Sequence, residues 1–560
     1  MLERQRRQIL SAGGGIESEY VIKNAKIVNV FTEEIINGDI AIDNGTIVGI
    51  GSYKGNKEID VKGKYVCPGL IDSHVHIEST MVTPKGFANT VLPFGTTTII
   101  ADPHEIANVC GLKGLDFMIN ESKNLPLNIY YMLPSCVPAV SFENNGGPLK
   151  AQDLKKYIDH PLVLGLGEMM DYPAVIGADS EVLDKINLAS HKVVDGHSPH
   201  LSGKDLMAYR LAGVDTDHEC STPEEAIERL RLGMYVQIRE ASAAKNLESI
   251  LTGLIDQNIP LTNCIFCTDD RHLDHIISEG HIDQIVRKAI SLGLSPVKAI
   301  CMATIQVARC YGLKTKGAIA PGYDADLIVL DDLKEFKVED VMIQGEWFEE
   351  FTGSSDYSMV TDTVNMPRIS KDDFHIELKD SKINVIQVIP DQIETNKVLR
   401  DSNQIDNLCK VAVIERHKNT GNIGLGFVEG IGLSGGAIAQ SIAHDSHNIV
   451  VIGDNDEDMT IAANHISKIQ GGIVLVSNGE IIEDLPLPIA GLMSPENPRL
   501  VMQSVRKLNK SARKLGIPDS IDPFITLSFI PLPVIPHLRM TDQGLFDSKE
   551  FKFIDLQERK

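Results

Sequence analysis

Between residues 69 and 269 the chain repeats one pattern eight times: an apolar run of strand length ends on a polar side chain, and helical texture follows. The runs cover 69–76, 96–104, 128–135, 162–168, 192–197, 213–218, 234–239 and 263–269. Their last residues are His76, His104, Ser135, Glu168, His197, His218, Arg239 and Asp269, spaced 21 to 33 residues apart. Parallel strands need a crossover of a dozen or more residues, so strand–helix alternation at this spacing predicts a parallel sheet. Eight such units in about 200 residues predict a closed TIM-like (β/α)8 barrel, whose functional groups lie at the C-terminal strand ends. A doubly wound open sheet is the rival, but eight consecutive polar strand ends favour closure.

Residues 20–66 alternate in period two and carry the turn Asn44-Gly45, the pattern of a small antiparallel β unit. After the barrel, 282–292 and 296–311 read as helices, and β texture resumes over 317–330. That later segment is expected to complete the N-terminal unit, which inserts the barrel in a small β-sandwich. Residues 350–373 resemble a linker, and a C-terminal α+β domain is expected beyond them. The division is 1–66, 67–312, 313–365 and 366–560, within the three or four domains that 560 residues allow at about 150 each.

Charge narrows the partners. Lys+Arg 53 against Asp+Glu 77 gives −24, which argues against nucleic acid or an anionic membrane surface. The longest apolar stretches fall short of the ~18–20 residues of a spanning helix. The first ten residues are basic, but no apolar export region follows. Nine scattered cysteines suit a reducing compartment, so a cytoplasmic location is expected. Cys264 and Cys267 form a CxxC on a strand, where i and i+3 face opposite ways, so they read as core thiols.

The chemistry lies at the strand ends. His74 and His76 share one face of strand one and point into the barrel mouth. An HxH pair alone is more often incidental, but Glu168, His197, His218 and Asp269 end four other strands. Four imidazoles and two carboxylates on one rim suit Zn, Fe or Mn, and oxygen-rich bridging favours Mn2+ or Fe2+. Six ligands exceed what one tetrahedral ion takes, so two bridged divalent metal ions are expected.

This arrangement resembles the amidohydrolase superfamily: HxH after strand one, single histidines after strands five and six, aspartate after strand eight. Many members carry a carboxylated lysine at strand four, where this chain has Glu168. The runs Asp102-Pro103-His104-Glu105, Asp195-Gly196-His197-Ser198-Pro199-His200, Asp217-His218-Glu219-Cys220 and Thr268-Asp269-Asp270-Arg271 resemble the bacterial and archaeal adenine deaminase family. The downstream stretches 435–440, 444–448 and 486–493 resemble that family's extra C-terminal domain. The resemblance implies purine salvage: hydrolysis of the small-molecule base adenine to hypoxanthine and ammonia by a metal-bridging hydroxide. Asp269 is then the proton shuttle, and Glu105, Glu219 and His104 are candidates to protonate the ring nitrogen. Asp270 and Arg239 become substrate contacts, although pairing of Arg239 and Glu240 with rim charges is an equal reading. Relatives are usually homodimers or larger. Another amidohydrolase acting on a cyclic amide or N-acyl substrate is the alternative, and a ligand-free scaffold is a third reading that six filled positions oppose.

Three other signals compete with this reading. Residues 430–435 match GxGxxG, with a helix-like stretch following and Asp454 ending the next apolar run; we read a Gly-rich turn of the C-terminal sheet rather than a dinucleotide site. His76-Ile77-Glu78 with Cys264 and Cys267 superficially matches zinc nucleobase deaminases, but Asn263 replaces the motif's proline, so the match is chance. His444, Asp445 and His447 are expected to form a polar turn closing a helix, the sharper idea being that they line the barrel mouth or hold an extra ion.

Overall fold

The computed structural model describes residues 2–353, 355–379, 381–390 and 392–558. Eight parallel strands form the barrel: β1 (Leu70–Val75), β2 (Thr96–Ala101), β3 (Asn128–Leu133), β4 (Val163–Met169), β5 (Val193–Gly196), β6 (Thr216–Asp217), β7 (Tyr235–Arg239) and β8 (Cys264–Cys267). β1 to β5 pair in chain order, as do β6 to β8. Two joints close the ring: Asp215 N donates to Val194 O at 2.8 Å, and Asp269 N to His74 O at 2.9 Å. Consecutive strand residues enter different apolar clusters. Ile100, Met132 and Ile265 pack with Val307 of the helix Ile305–Cys310, while Ile99, Leu133 and Phe266 join the large core shared with the other helices. Burial on both faces is why these strands are nearly continuous apolar runs.

The second run is shorter than its sequence suggests. β2 stops at Ala101, and His104 opens the helix His104–Cys110 instead of ending a strand. Pro103 has no N–H for the ladder, and its ring suits a helix entry, so the chain leaves the sheet there.

The strand Ser18–Asn29 pairs with Glu34–Asp43, Gly55–Asp60 and Tyr65–Pro68. Tyr65–Pro68 in turn pairs antiparallel with Leu327–Leu330 from beyond the barrel. The sandwich is thus one continuous eight-stranded sheet, with Ile22, Ile27, Ile40, Leu327 and Met342 in a common core. The β texture expected from 317 condenses to Leu327–Leu330, because Pro321-Gly322 holds the preceding stretch in a turn.

Beyond residue 380 a second eight-stranded sheet carries the helix Asp456–Ile469, whose Met459, Ala462 and Ile466 pack on Ala412, Ala439 and Val451. The glycines 430–435 form a turn there, as expected. The stretch after them, however, is the strand Ala437–Gln440 rather than a helix. Asp454 accepts from the Gly435 and Gly436 N–H groups, which ties off the turn internally. Among the described residues no helix is long and apolar enough to cross a membrane. All nine cysteines are free thiols, and Cys264 and Cys267 are buried.

Candidate metal centre

The barrel gathers six side chains at its mouth, five of them set about Glu168. Its Oε1 lies 3.6 Å from His74 Nε2 and 3.2 Å from His76 Nε2. Its Oε2 lies 2.7 Å from His197 Nδ1 and 3.3 Å from His218 Nε2. Asp269 Oδ1 stands 3.7 Å from His74 Nε2 and 3.1 Å from His76 Nε2. The His74 and His218 rings stack with centroids 4.3 Å apart. Each residue arrives at or just past a strand end. Glu168 is seated by Asp102, whose Oδ2 accepts from its N–H at 3.0 Å. Only glycine fits at 167, since a Cβ there would meet that same oxygen at 2.1 Å. Asp269 takes a left-handed φ of 53°, which turns the chain directly after β8 at a cost of about 1–3 kcal/mol.

The donor set suits a cation better than it suits itself. Both nitrogens of His74, fully buried, lack a hydrogen-bond partner, as does His218 Nδ1. Burial, followed by the neighbouring His218 and His76, pushes the His74 imidazole well below its ordinary pKa, which keeps it neutral and able to ligate. Burial alone would raise the Glu168 and Asp269 carboxylates; surrounding histidines, joined by Arg239 at Asp269, hold both well below the usual range. An unpaired buried nitrogen, His74 Nε2, facing two ionised carboxylates is the pattern of a divalent metal site.

The remaining predicted residues divide by what already occupies them. Arg239 Nη1 donates to Asp269 Oδ2 at 2.8 Å and also to Glu219, the pairing that was one of its two readings. Glu240 pairs with Lys288 at 2.6 Å. Glu219 Oε1 also lies 3.6 Å from His218 and 3.8 Å from His197. Asp270 accepts from Ser79 Oγ. His104 Nδ1 is 3.5 Å from both Glu168 Oε1 and Asp102 Oδ1 and has no hydrogen-bond partner, while its Nε2 is 3.5 Å from Glu105.

Glu105 holds the largest difference from expectation. The 444–447 segment closes no helix; it projects from the C-terminal sheet into the barrel mouth. His444 Nδ1 and His447 Nε2 bond the two oxygens of Glu105, one each. Burial lowers both imidazoles, but Glu105 and Asp270 carry His444 up to about 9, whereas His447 falls to about 4. One charged and one neutral ring therefore hold one carboxylate. Behind them Arg416, fully buried, donates to His447 O and to Ala490 O at 3.0 Å, which fixes the turn.

Sequence reasoning also missed a support under His197 and His218. Asp217 accepts from Ser198 Oγ and from Arg229 Nε at 2.9 Å, and Arg229 Nη2 donates to Ser198 O at 2.7 Å. Both chains are fully buried. The signal was present in Asp217 adjoining His218, but Arg229 reads as one more charge on a solvated helix face.

A (β/α)8 barrel with a mixed histidine–carboxylate rim defines the class of metal-assisted hydrolases. Residues 65–348 match the amidohydrolase family, and residues 387–552 match the adenine deaminase C-terminal domain. The adenine deaminase of Clostridium acetobutylicum is 50% identical over 98% of this chain and 99% of its own length. That of Bacillus subtilis is 45% identical over 97% of each chain, and that of Desulfitobacterium hafniense 46% over 97% of each. The chain belongs to the adenine deaminase family of amidohydrolases.

Proposed function

We propose that this chain hydrolyses adenine to hypoxanthine and ammonia, with His74, His76, Glu168, His197, His218 and Asp269 holding two divalent ions, Mn2+ or Fe2+. The observation that carries this reading is Glu168, each of whose oxygens faces its own pair of imidazoles. With imidazoles on both sides of it, Glu168 would help hold both ions and would serve where many amidohydrolases use a carboxylated lysine. Bound there, the ions would lower the pKa of water and supply hydroxide near neutral pH.

The chain's own groups do the rest. Asp269, held ionised by His76 and Arg239, takes the proton of the nucleophile and returns it to the leaving amino group. Glu105 is occupied by two histidines and Glu219 by Arg239, which leaves His104 to donate to the ring nitrogen as the tetrahedral centre forms. Its unpartnered Nδ1 beside Glu168 supports that assignment. Asp270 and Arg239 then orient base and shuttle rather than react. The strand pairings support the order of the division 1–66, 67–312, 313–365 and 366–560, with the strand Tyr65–Pro68 wholly on the sandwich side through its pairing with Leu327–Leu330. Nine free thiols support a cytoplasmic setting, the net charge of −24 opposes nucleic-acid or membrane partners, and exposed Leu2, Ile9 and Leu10 support a homodimer or larger assembly.

The test is ammonia release and loss of the adenine ultraviolet band on adding purified protein, with chelator and added Mn2+ as controls. Metal-dependent conversion is expected. Full metal content without conversion would move the substrate to a cyclic amide or N-acyl compound.

A further inference from the structure

Gln440, the last residue of the strand Ala437–Gln440, is 1% exposed. Its Nε2 donates to two carbonyls, Ile442 O at 2.8 Å and Phe524 O at 3.0 Å. Carbonyl oxygens only accept, so turning the amide end for end would set its oxygen against both of them. The Oε1 atom is therefore fixed on the other side, buried and without a donor. The residue lines a narrow cleft between the two halves of the molecule, with Ser79, Met81 and His272 from the barrel and Ile442, Phe524 and Ser528 from the C-terminal side. Both walls touch the chemistry. Ser79 bonds Asp270, the neighbour of Asp269, and His444 at the cleft's edge bonds Glu105.

Several buried acceptors among the described residues lack a donor, but of these residues Gln440 is the one that lines this cleft, and that pairing of an open acceptor with a cleft beside the chemistry points to a donor that arrives with a ligand. Adenine carries two kinds of N–H, the C6 amino group and one hydrogen on its imidazole half. The C6 amino group is committed to the histidine–carboxylate cluster, because that is where it must leave. Resting on the adenine reading above, we infer that Gln440 Oε1 accepts the imidazole-ring N–H of the base. This contact makes the C-terminal region part of the substrate site and selects the free base over N-substituted adenines. A nucleoside has a sugar in place of that hydrogen, so it lacks the ring N–H and brings bulk into a narrow space.

The test crosses two Gln440 variants with ligands that have or lack the N–H. Gln440→Met should raise KM for adenine about 30-fold while kcat stays within about threefold, the split expected of a binding contact. The inhibition constants of 9-methyladenine and 7-methyladenine, which have no such N–H, should move less than about threefold, so discrimination shrinks with the lost contact. Gln440→Asn keeps both amide protons and withdraws the acceptor by one methylene; it should raise KM about tenfold in the same adenine-only manner, and it serves if the Met variant fails to fold. Parallel shifts for adenine and methyladenines, or no shift for either, would overturn the contact while leaving the adenine reading intact. A metal-loaded wild type that leaves adenine untouched would overturn that reading and the contact together.

Discussion

Two histidine–carboxylate groups meet at the barrel mouth, and they are built on opposite terms. In the Glu168 group all six side chains, the carboxylate included, come from barrel strand ends, and both His74 nitrogens and His218 Nδ1 have no partner. Around Glu105 the carboxylate comes from the barrel and both imidazoles from the C-terminal sheet, and both Glu105 oxygens are bonded. An unsatisfied buried set costs free energy until something binds, whereas a satisfied one is already complete. The first group therefore reads as a ligand site and the second as a joint that fixes one half of the molecule against the other.

The strongest test of that contrast is Asp269→Asn. It should keep metal, measured by elemental analysis, and lower kcat about 10³-fold, since a positioned proton shuttle contributes roughly 10²–10⁴. A near-wild-type rate would remove Asp269 from the shuttle role. Next is Asp217→Asn, which leaves Arg229 buried without its counter-charge and should cost about 3–5 kcal/mol in urea unfolding.

Asp217 also sets an acid limit. Burial would raise its pKa, but Arg229 and Ser198 hold it below the ordinary value. A depressed folded pKa gives stability that is present above the unfolded value of about 3.9 and lost as pH falls through the folded one. Below about pH 4 the wild type should therefore lose stability that the Asn variant never had, and the two acid-unfolding curves should converge. Curves that stay parallel would remove Asp217 from that role.

Glu168→Gln sharpens the comparison from the metal side. It should lower content from about two ions per chain toward one, and excess Mn2+ should restore part of it. The smallest effect is expected at the joint. His447→Ala should leave metal content unchanged and cost about 1–3 kcal/mol of stability by freeing one Glu105 oxygen in a buried site. If it instead lost metal as Glu168→Gln does, the two groups would be one site.

Much of this architecture was legible in period and spacing. Eight polar strand ends gave the barrel, and side-chain alternation put His74 and His76 on one face. Two misreadings share a cause. His104 looked like a strand end because the apolar run before it is continuous, while the Pro103 break acts through a missing N–H that periodicity does not weigh. Ala437–Gln440 looked helical because a run as short as Ala-Ile-Ala-Gln fits either period; its pairing with Ile449–Gly453 and Gly472–Ser477 decided for strand.

The sequence by itself determined which histidines and carboxylates gather at the strand ends on one rim, because backbone geometry fixes side-chain direction within a strand. Contacts between residues more than three hundred positions apart carry no such local period. Only the tertiary structure decided that His444 and His447 close on Glu105, that Arg239 pairs with Asp269 and Glu219, and that Gln440, beside the cleft, keeps an unpartnered oxygen. Those outcomes depend on how elements distant in sequence approach each other, within the barrel and between it and the C-terminal sheet, and on which buried polar atoms remain unpaired once they have.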